Sequence, residues 1–81
     1  MERNGSLSSL REGGCCIVTD ISAAGKMRSR FIDLGVEKGA RIECLHARPG
    51  GGIAAYLICG AVIALRSADA ACIRGVISDP P

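Results

Sequence analysis

Glycine punctuates this chain. Eleven of its 81 residues are glycine, and for the most part they stand between short apolar runs rather than inside them. Gly13-Gly14 opens Cys15 to Ile21, where Ile17, Val18, Thr19 and Ile21 are β-branched. Gly39 precedes Ala40 to Ala47, in which Arg41 and Glu43 alternate with Ile42 and Cys44. After Pro49-Gly50-Gly51-Gly52 come Ile53 to Ile58 and Ala61 to Arg66, joined by Cys59-Gly60 as a two-residue hairpin with a positive φ at Gly60. Cys72 to Ile77 is a last β-prone run. Runs this short, bounded this way, are strands.

One segment has a different period. Met27, Phe31 and Leu34 fall at i, i+4 and i+7, so Lys26 to Leu34 is predicted to be an amphipathic helix, with Gly35 as its stop. Ser67 is placed to cap a short helical turn over Ala68-Asp69-Ala70-Ala71. Five short strands cannot build a wide sheet covered by helices on both faces. The expected fold is mainly β: a small SH3-like barrel of about five strands with one or two short α-helices. Residues 1–6 are expected to be a flexible leader, 7–77 the barrel domain and 78–81 a flexible tail.

Size and composition close several routes. A chain this small buries about 60–65% of the surface its unfolded form exposes, enough for one core and no separate catalytic domain. The hydrophobic fraction is 48% and mean hydropathy +0.29, which excludes a disordered chain. Phe31 and Tyr56 are the only aromatics, so the core must be aliphatic. The apolar stretch from Ile53 to Leu65 falls short of the ~18–20 residues a membrane helix needs, and Gly60 interrupts it. A net charge of +2 spread along the chain, without aromatic platforms, is a poor basis for nucleic-acid binding.

The cysteines are five, an odd number, and the N-terminal residues are polar rather than those of a secretory signal. A reducing, cytoplasmic setting follows as the expectation. No pair has the C-x-x-C spacing that grips a zinc ion; Cys15 and Cys16, being adjacent on a strand, point to opposite faces. The reading is small hydrophobic filler, with no metal ligand and no cofactor. His46, the single histidine, has no nucleophile or carboxylate at a catalytic spacing, and no phosphate-binding loop is present. Nothing in the chain suggests an enzyme. The helix followed by Leu34-Gly35-Val36 imitates a helix-turn-helix, but Gly39 and the β alternation through Ile42 and Cys44 exclude a second helix.

The same stretch carries a resemblance. Arg28-x-Arg30-Phe31-x-Asp33-Leu34-Gly35-Val36-x-x-Gly39-x-x-Ile42 resembles the signature of ferrous-iron-transport protein A, the FeoA family. Leu10-Arg11-x-Gly13 upstream, and Ala55-Tyr56-Leu57-Ile58-x-Gly60-Ala61-Val62-Ile63-Ala64-Leu65-Arg66 with Ala68-Asp69-Ala70-x-x-Ile73 downstream, are similar to the rest of the family pattern. The resemblance implies an SH3-like barrel and a cytoplasmic accessory of bacterial ferrous iron uptake. Its partner would be the FeoB-type membrane transporter and its cytoplasmic GTP-binding domain, so that the chain is peripheral to the membrane only through that partner. Where many family members carry Gly-Asp-Pro, this chain has Gly51-Gly52-Ile53, so the loop should be looser.

Three functions compete: an interaction module for the transporter, a transition-metal chaperone using thiols and His46, and a nucleic-acid-binding SH3-like domain. The hairpin favours the first. Ile53, Ala55 and Leu57 make one apolar face and Ala54, Tyr56 and Ile58 the other, so one face must look outward unless a helix covers it. Partner contact is expected at Lys26, Arg28 and Arg30 on the helix and at Tyr56 and Ile58 on the strand, and weak self-association is a further expectation.

Overall fold

A computed structural model describes residues 2–48 and 50–80. Six strands form one antiparallel sheet in the order β1-β6-β2-β3-β4-β5. They are β1 (Glu2–Ser6), β2 (Cys15–Ile21), β3 (Arg41–Ala47), β4 (Ile53–Ile58), β5 (Ala61–Arg66) and β6 (Ile73–Ser78), with helices α1 (Gly25–Asp33) and α2 (Ser67–Ala70). The five predicted strands and both helices are present within a residue or two of their expected bounds.

The expected leader is a strand. Residues 2–6 pair antiparallel with β6 from Glu2↔Ser78 to Ser6↔Arg74. Glu2, Arg3, Asn4 and Gly5 carry no alternating apolar pattern, so the backbone ladder and a polar clasp hold β1: Arg3 grips both carboxylate oxygens of Asp79 at 3.3 Å and donates to Ser9 Oγ at 3.2 Å. That hydrogen bonding holds the Asp79 carboxyl below its usual range, and it ties Asp79, part of the expected tail, to β1. A 3-10 turn (Leu7–Ser9) follows, and Leu7 and Leu10 enter the core at 0% and 4% exposure. Met1 of the leader, Pro49 of the glycine loop and Pro81 of the tail lie outside the described residues.

The sheet is open, not a closed barrel. Its edge strands, β1 and β5, do not pair with each other, and β6, which a five-stranded closure would join to β5, is paired on both sides by β1 and β2. Residues from outside the strands complete the core instead: Leu7, Leu10, Phe31, Val36 and Ala70 pack with Cys16, Val18, Ile42, Cys44, Tyr56, Ile58, Leu65, Ile73 and Ile77.

Close approach of two strands makes one glycine necessary. A bulge in β2 between Val18 and Asp20 lies beside Gly75, where a Cβ would run into the carbonyl oxygen of Ile17 and the thiol of Cys16. Gly75 can therefore occupy the buried middle of β6, between β2 and β1, where any side chain would push the strands apart.

Helix α1 is held by its end and its apolar stripe. Its N-cap, Ala24, has no side-chain hydrogen bond. At the other end Gly35 takes φ 91°, its N–H bonds Ile32 O at 2.9 Å, and Val36 N–H bonds Phe31 O at 2.8 Å. This is the Schellman arrangement, and the accompanying apolar contact is made by buried Val36 and Phe31. Met27 and Leu34, the rest of the predicted stripe, are partly buried against the same core. Ser67 departs from its expected role: Arg66 is the cap residue of α2, without a side-chain bond. The Ser67 hydroxyl instead donates to Gly52 O at 3.0 Å and accepts from Gly52 N–H at 2.9 Å, tying the glycine loop to α2.

Candidate functional site

The thiols and the imidazole do not come together. Cys16 and Cys44 are fully buried on the inner face, and burial pushes both thiols up. Cys15, on the opposite face of β2, accepts from Arg41 Nη2 at 2.9 Å. Cys59 is exposed at the hairpin tip, its thiol 3.7 Å from Gly35 O. A bulge between Cys44 and His46 takes the histidine out of the inward series of Ile42 and Cys44 and sets it opposite Ala55. There His46 Nδ1 donates to Glu12 Oε1 at 2.9 Å. Among the described residues no three His, Cys, Asp or Glu side chains are grouped so that they could hold a metal ion.

The hairpin resolves which of its two apolar faces is inside. In an antiparallel pair, residues directly opposite share a face. Ile58 is opposite Ile42 and Tyr56 opposite Cys44, both buried, so Ala54, Tyr56 and Ile58 point inward. Tyr56 and Ile58, expected to touch a partner, are thus core residues with 3% and 0% exposure. Burial raises the Tyr56 phenol to about 12, and its hydroxyl reaches only a weak 3.5 Å bond to Leu7 O.

The outward face carries Ile53, Ala55 and Leu57 of β4 against Arg66, Ala64 and Val62 of β5. Ile53 is 56% and Val62 68% exposed. Sequence reasoning found both faces but chose the wrong one. The missed signal was in β3, where Arg41 and Glu43 mark the outer side and register transmits that orientation to β4.

The basic helix face divides in two. Residues two apart on a helix do not face each other. Arg28 turns toward the end of β2 and donates to Ile21 O at 3.3 Å. Arg30 turns the other way, into a hollow of about 440 Å³ lined with Met27, Ile53, Ala64, Arg66 and Asp69. Lys26, one turn before Arg30, is exposed. The structure thus brings Arg30 to the hairpin and leaves Arg28 apart from it. A second cleft, about 290 Å³, has Leu10, Ala54 and Tyr56 among its apolar lining and Arg11, Glu12 and Arg48 among its polar lining.

No helix among the described residues is long and apolar enough to cross a membrane. No curated protein matches the chain. Solved structures do. An iron uptake regulatory protein, FeoA, is similar with a TM-score of 0.85 at 22% identity, covering 94% of this chain and 100% of that one. A Stenotrophomonas maltophilia FeoA complexed with zinc, described as a procaryotic SH3-domain protein, is similar with a TM-score of 0.79 at 20% identity, covering 94% and 98%. A Chlorobium tepidum FeoA protein is similar with a TM-score of 0.77 at 29% identity, covering 88% and 69%. The model of the FeoA domain matches residues 5–76. With that match spanning nearly all of its length and a fold similar to that of solved FeoA structures, the chain belongs to the FeoA family, which is associated with ferrous iron transport.

Proposed function

We propose that the chain is a non-catalytic accessory of ferrous iron uptake that works in the cytoplasm by docking on the GTP-binding domain of a FeoB-type transporter. The observation that carries this reading is the outer face of the β4–β5 hairpin, where Ile53 and Val62 are left 56% and 68% exposed beside Ala55, Leu57 and Ala64. Five neighbouring apolar side chains on one outward face are surplus to folding, and such surplus marks a contact surface. The charged rim typical of a contact patch is present in Arg30 and Arg66.

The experiment is binding of the purified chain to the immobilised cytoplasmic domain of the cognate transporter. Wild type should bind and Val62→Asp should not, at unchanged circular dichroism. Equal binding by the two proteins would remove the hairpin face from the interface, and absence of binding by wild type would remove the transporter domain as partner.

A further inference from the structure

Three hollows on the surface meet at one residue. Ile53 lines the 290 Å³ cleft, the 440 Å³ hollow beside α1 and a third hollow over Arg48, Gly51 and Gly52. Together they make a groove that crosses the start of β4, with an exposed isoleucine at its centre. Arg11 and Arg48 stand on one side of Ile53, and Arg30 and Arg66 on the other.

Arg3 and Arg41 are engaged in ion pairs with Asp79 and Glu43, whereas among the described residues none of the four guanidinium groups along the groove has an ion-pair partner, nor do Arg28 and Arg74, which line none of the three hollows. Two carboxylates also line the groove. Glu12 is already bonded to His46, and Asp69 stands at the α2 end. Positive charge is in excess on both sides of an apolar centre.

We propose that this groove binds an extended acidic segment of a partner protein, seating one apolar side chain of that segment on Ile53 between the two arginine pairs. The proposal deepens the docking reading given above and rests on it for the partner's identity alone. Charge complementarity selects an acidic ligand. The four arginines are divided two and two between separate hollows instead of converging on one point, which selects a ligand with several spaced anionic groups over a single small anion. An extended segment carries such spaced groups on successive residues, with side chains alternating toward the surface and away from it. Both aromatic residues, Phe31 and Tyr56, are buried, so no base-stacking platform is available to single-stranded nucleic acid.

The probe is a fluorescein-labelled nine-residue peptide with a central leucine flanked on each side by glycine, aspartate and glutamate. Its control carries asparagine and glutamine in place of the acids. Fluorescence anisotropy at low and moderate salt should show binding of the acidic peptide that weakens as salt rises, with the amide control about tenfold weaker. Arg48→Ser combined with Arg66→Ser should weaken the acidic peptide about tenfold, and Ile53→Ser should weaken both peptides. All three positions are exposed, so these variants keep the fold. Equal affinity for the two peptides, an unaffected arginine variant, or no binding of the acidic peptide at millimolar concentration would each overturn the proposal. Tighter capture of a labelled oligothymidylate than of the peptide would also overturn it. Transporter-domain binding that survives in the arginine variant would overturn this inference while leaving the docking reading intact. Peptide binding without transporter-domain binding would do the reverse.

Discussion

The two ends of the sheet treat their outer faces differently. On β2, β3 and β6 the outward positions include Cys15, Thr19, Arg41, Glu43, Arg74 and Ser78, with one apolar cross-strand pair, Ile17 and Val76, and Leu45 at the β3 bulge. On β4 and β5 the outward positions are Ile53, Ala55, Leu57, Val62 and Ala64, closed by Arg66. Their inner faces both close the core, with Cys16, Val18, Ile42, Cys44, Ile73 and Ile77 buried at one end and Tyr56, Ile58 and Leu65 buried at the other, where Ala54 and Ile63 are partly buried. Folding therefore explains the inner face throughout, and it explains the outer face at one end. The apolar outer surface of the hairpin answers to something outside the chain.

Breaking the inner face should have the largest effect. Phe31 supplies the only phenyl ring of an aliphatic core and is 1% exposed. Its carbonyl also accepts from Val36 N–H in the helix stop. Phe31→Ala should cost about 3–5 kcal/mol, read as a fall in the urea midpoint. That is a large share of the roughly 5–15 kcal/mol typical of a domain. A midpoint close to wild type would show that α1 is not pinned through this side chain.

Tyr56 tests the same face by pH. Its phenol titrates at about 12 in the folded chain against an ordinary value of 10, because burial disfavours the anion. Between those values the unfolded chain releases a proton that the folded chain keeps, so stability falls as pH rises. The contribution is fully present below pH ~10 and lost by about pH 12, at most roughly 2–3 kcal/mol. Cys16 and Cys44, also pushed up by burial, act in the same direction. Tyr56→Phe should flatten the decline in urea midpoint above pH 10 while the two thiols preserve part of it. An unchanged alkaline slope would place the phenol in water.

Where helix and hairpin meet, Gly35 gives a smaller and separable effect. Its φ of 91° suits glycine, and a Cβ there would run into the Cys59 thiol. Cys59 itself sits at φ 49° in the two-residue turn, a position that glycine would occupy without penalty. Gly35→Ala should cost about 1–3 kcal/mol. Adding Cys59→Gly should recover the part that comes from the collision and leave the part that comes from φ. Strict additivity of the two changes would mean that helix and hairpin do not press on each other here.

The difference between the two ends also explains what the sequence made legible. Strands β2 to β6 and helix α1 announced themselves through glycine boundaries, β-branched runs and the Met27–Phe31–Leu34 stripe. Strand β1 did not, because Glu2 to Ser6 has no apolar period and is defined by the ladder it makes with β6. Its pairing also occupies the edge that a closed barrel would need. The orientation of β4 was ambiguous because both faces are apolar, and only pairing with the polar-and-apolar alternation of β3 assigns Tyr56 and Ile58 to the interior. The groove was out of reach for a related reason. Arg11, Arg30, Arg48 and Arg66 are far apart in the chain, and the fold alone brings them around Ile53.

The smallest effect on stability, and the sharpest test of the outer face, comes from separating the two helix arginines. A uniform basic helix face would make Arg28 and Arg30 equivalent, yet they stand on opposite flanks. Arg30 faces the hairpin hollow with Arg66, while Arg28 bonds a backbone carbonyl at the end of β2. Both are exposed, so reversing either charge should change stability by no more than about 0–1 kcal/mol. Association with the transporter domain should discriminate between them. Arg30→Glu places a negative charge on the rim of the apolar face, and it should slow association and flatten its dependence on salt. Arg28→Glu should leave the on-rate close to wild type, since its charge lies away from the rim. Lys26→Glu, one helical turn from Arg30 on the same flank, should follow Arg30 with a weaker effect. Equal slowing by Arg28→Glu and Arg30→Glu would mean that steering depends on net charge alone. The contact surface would then have to be sought on another side of the sheet.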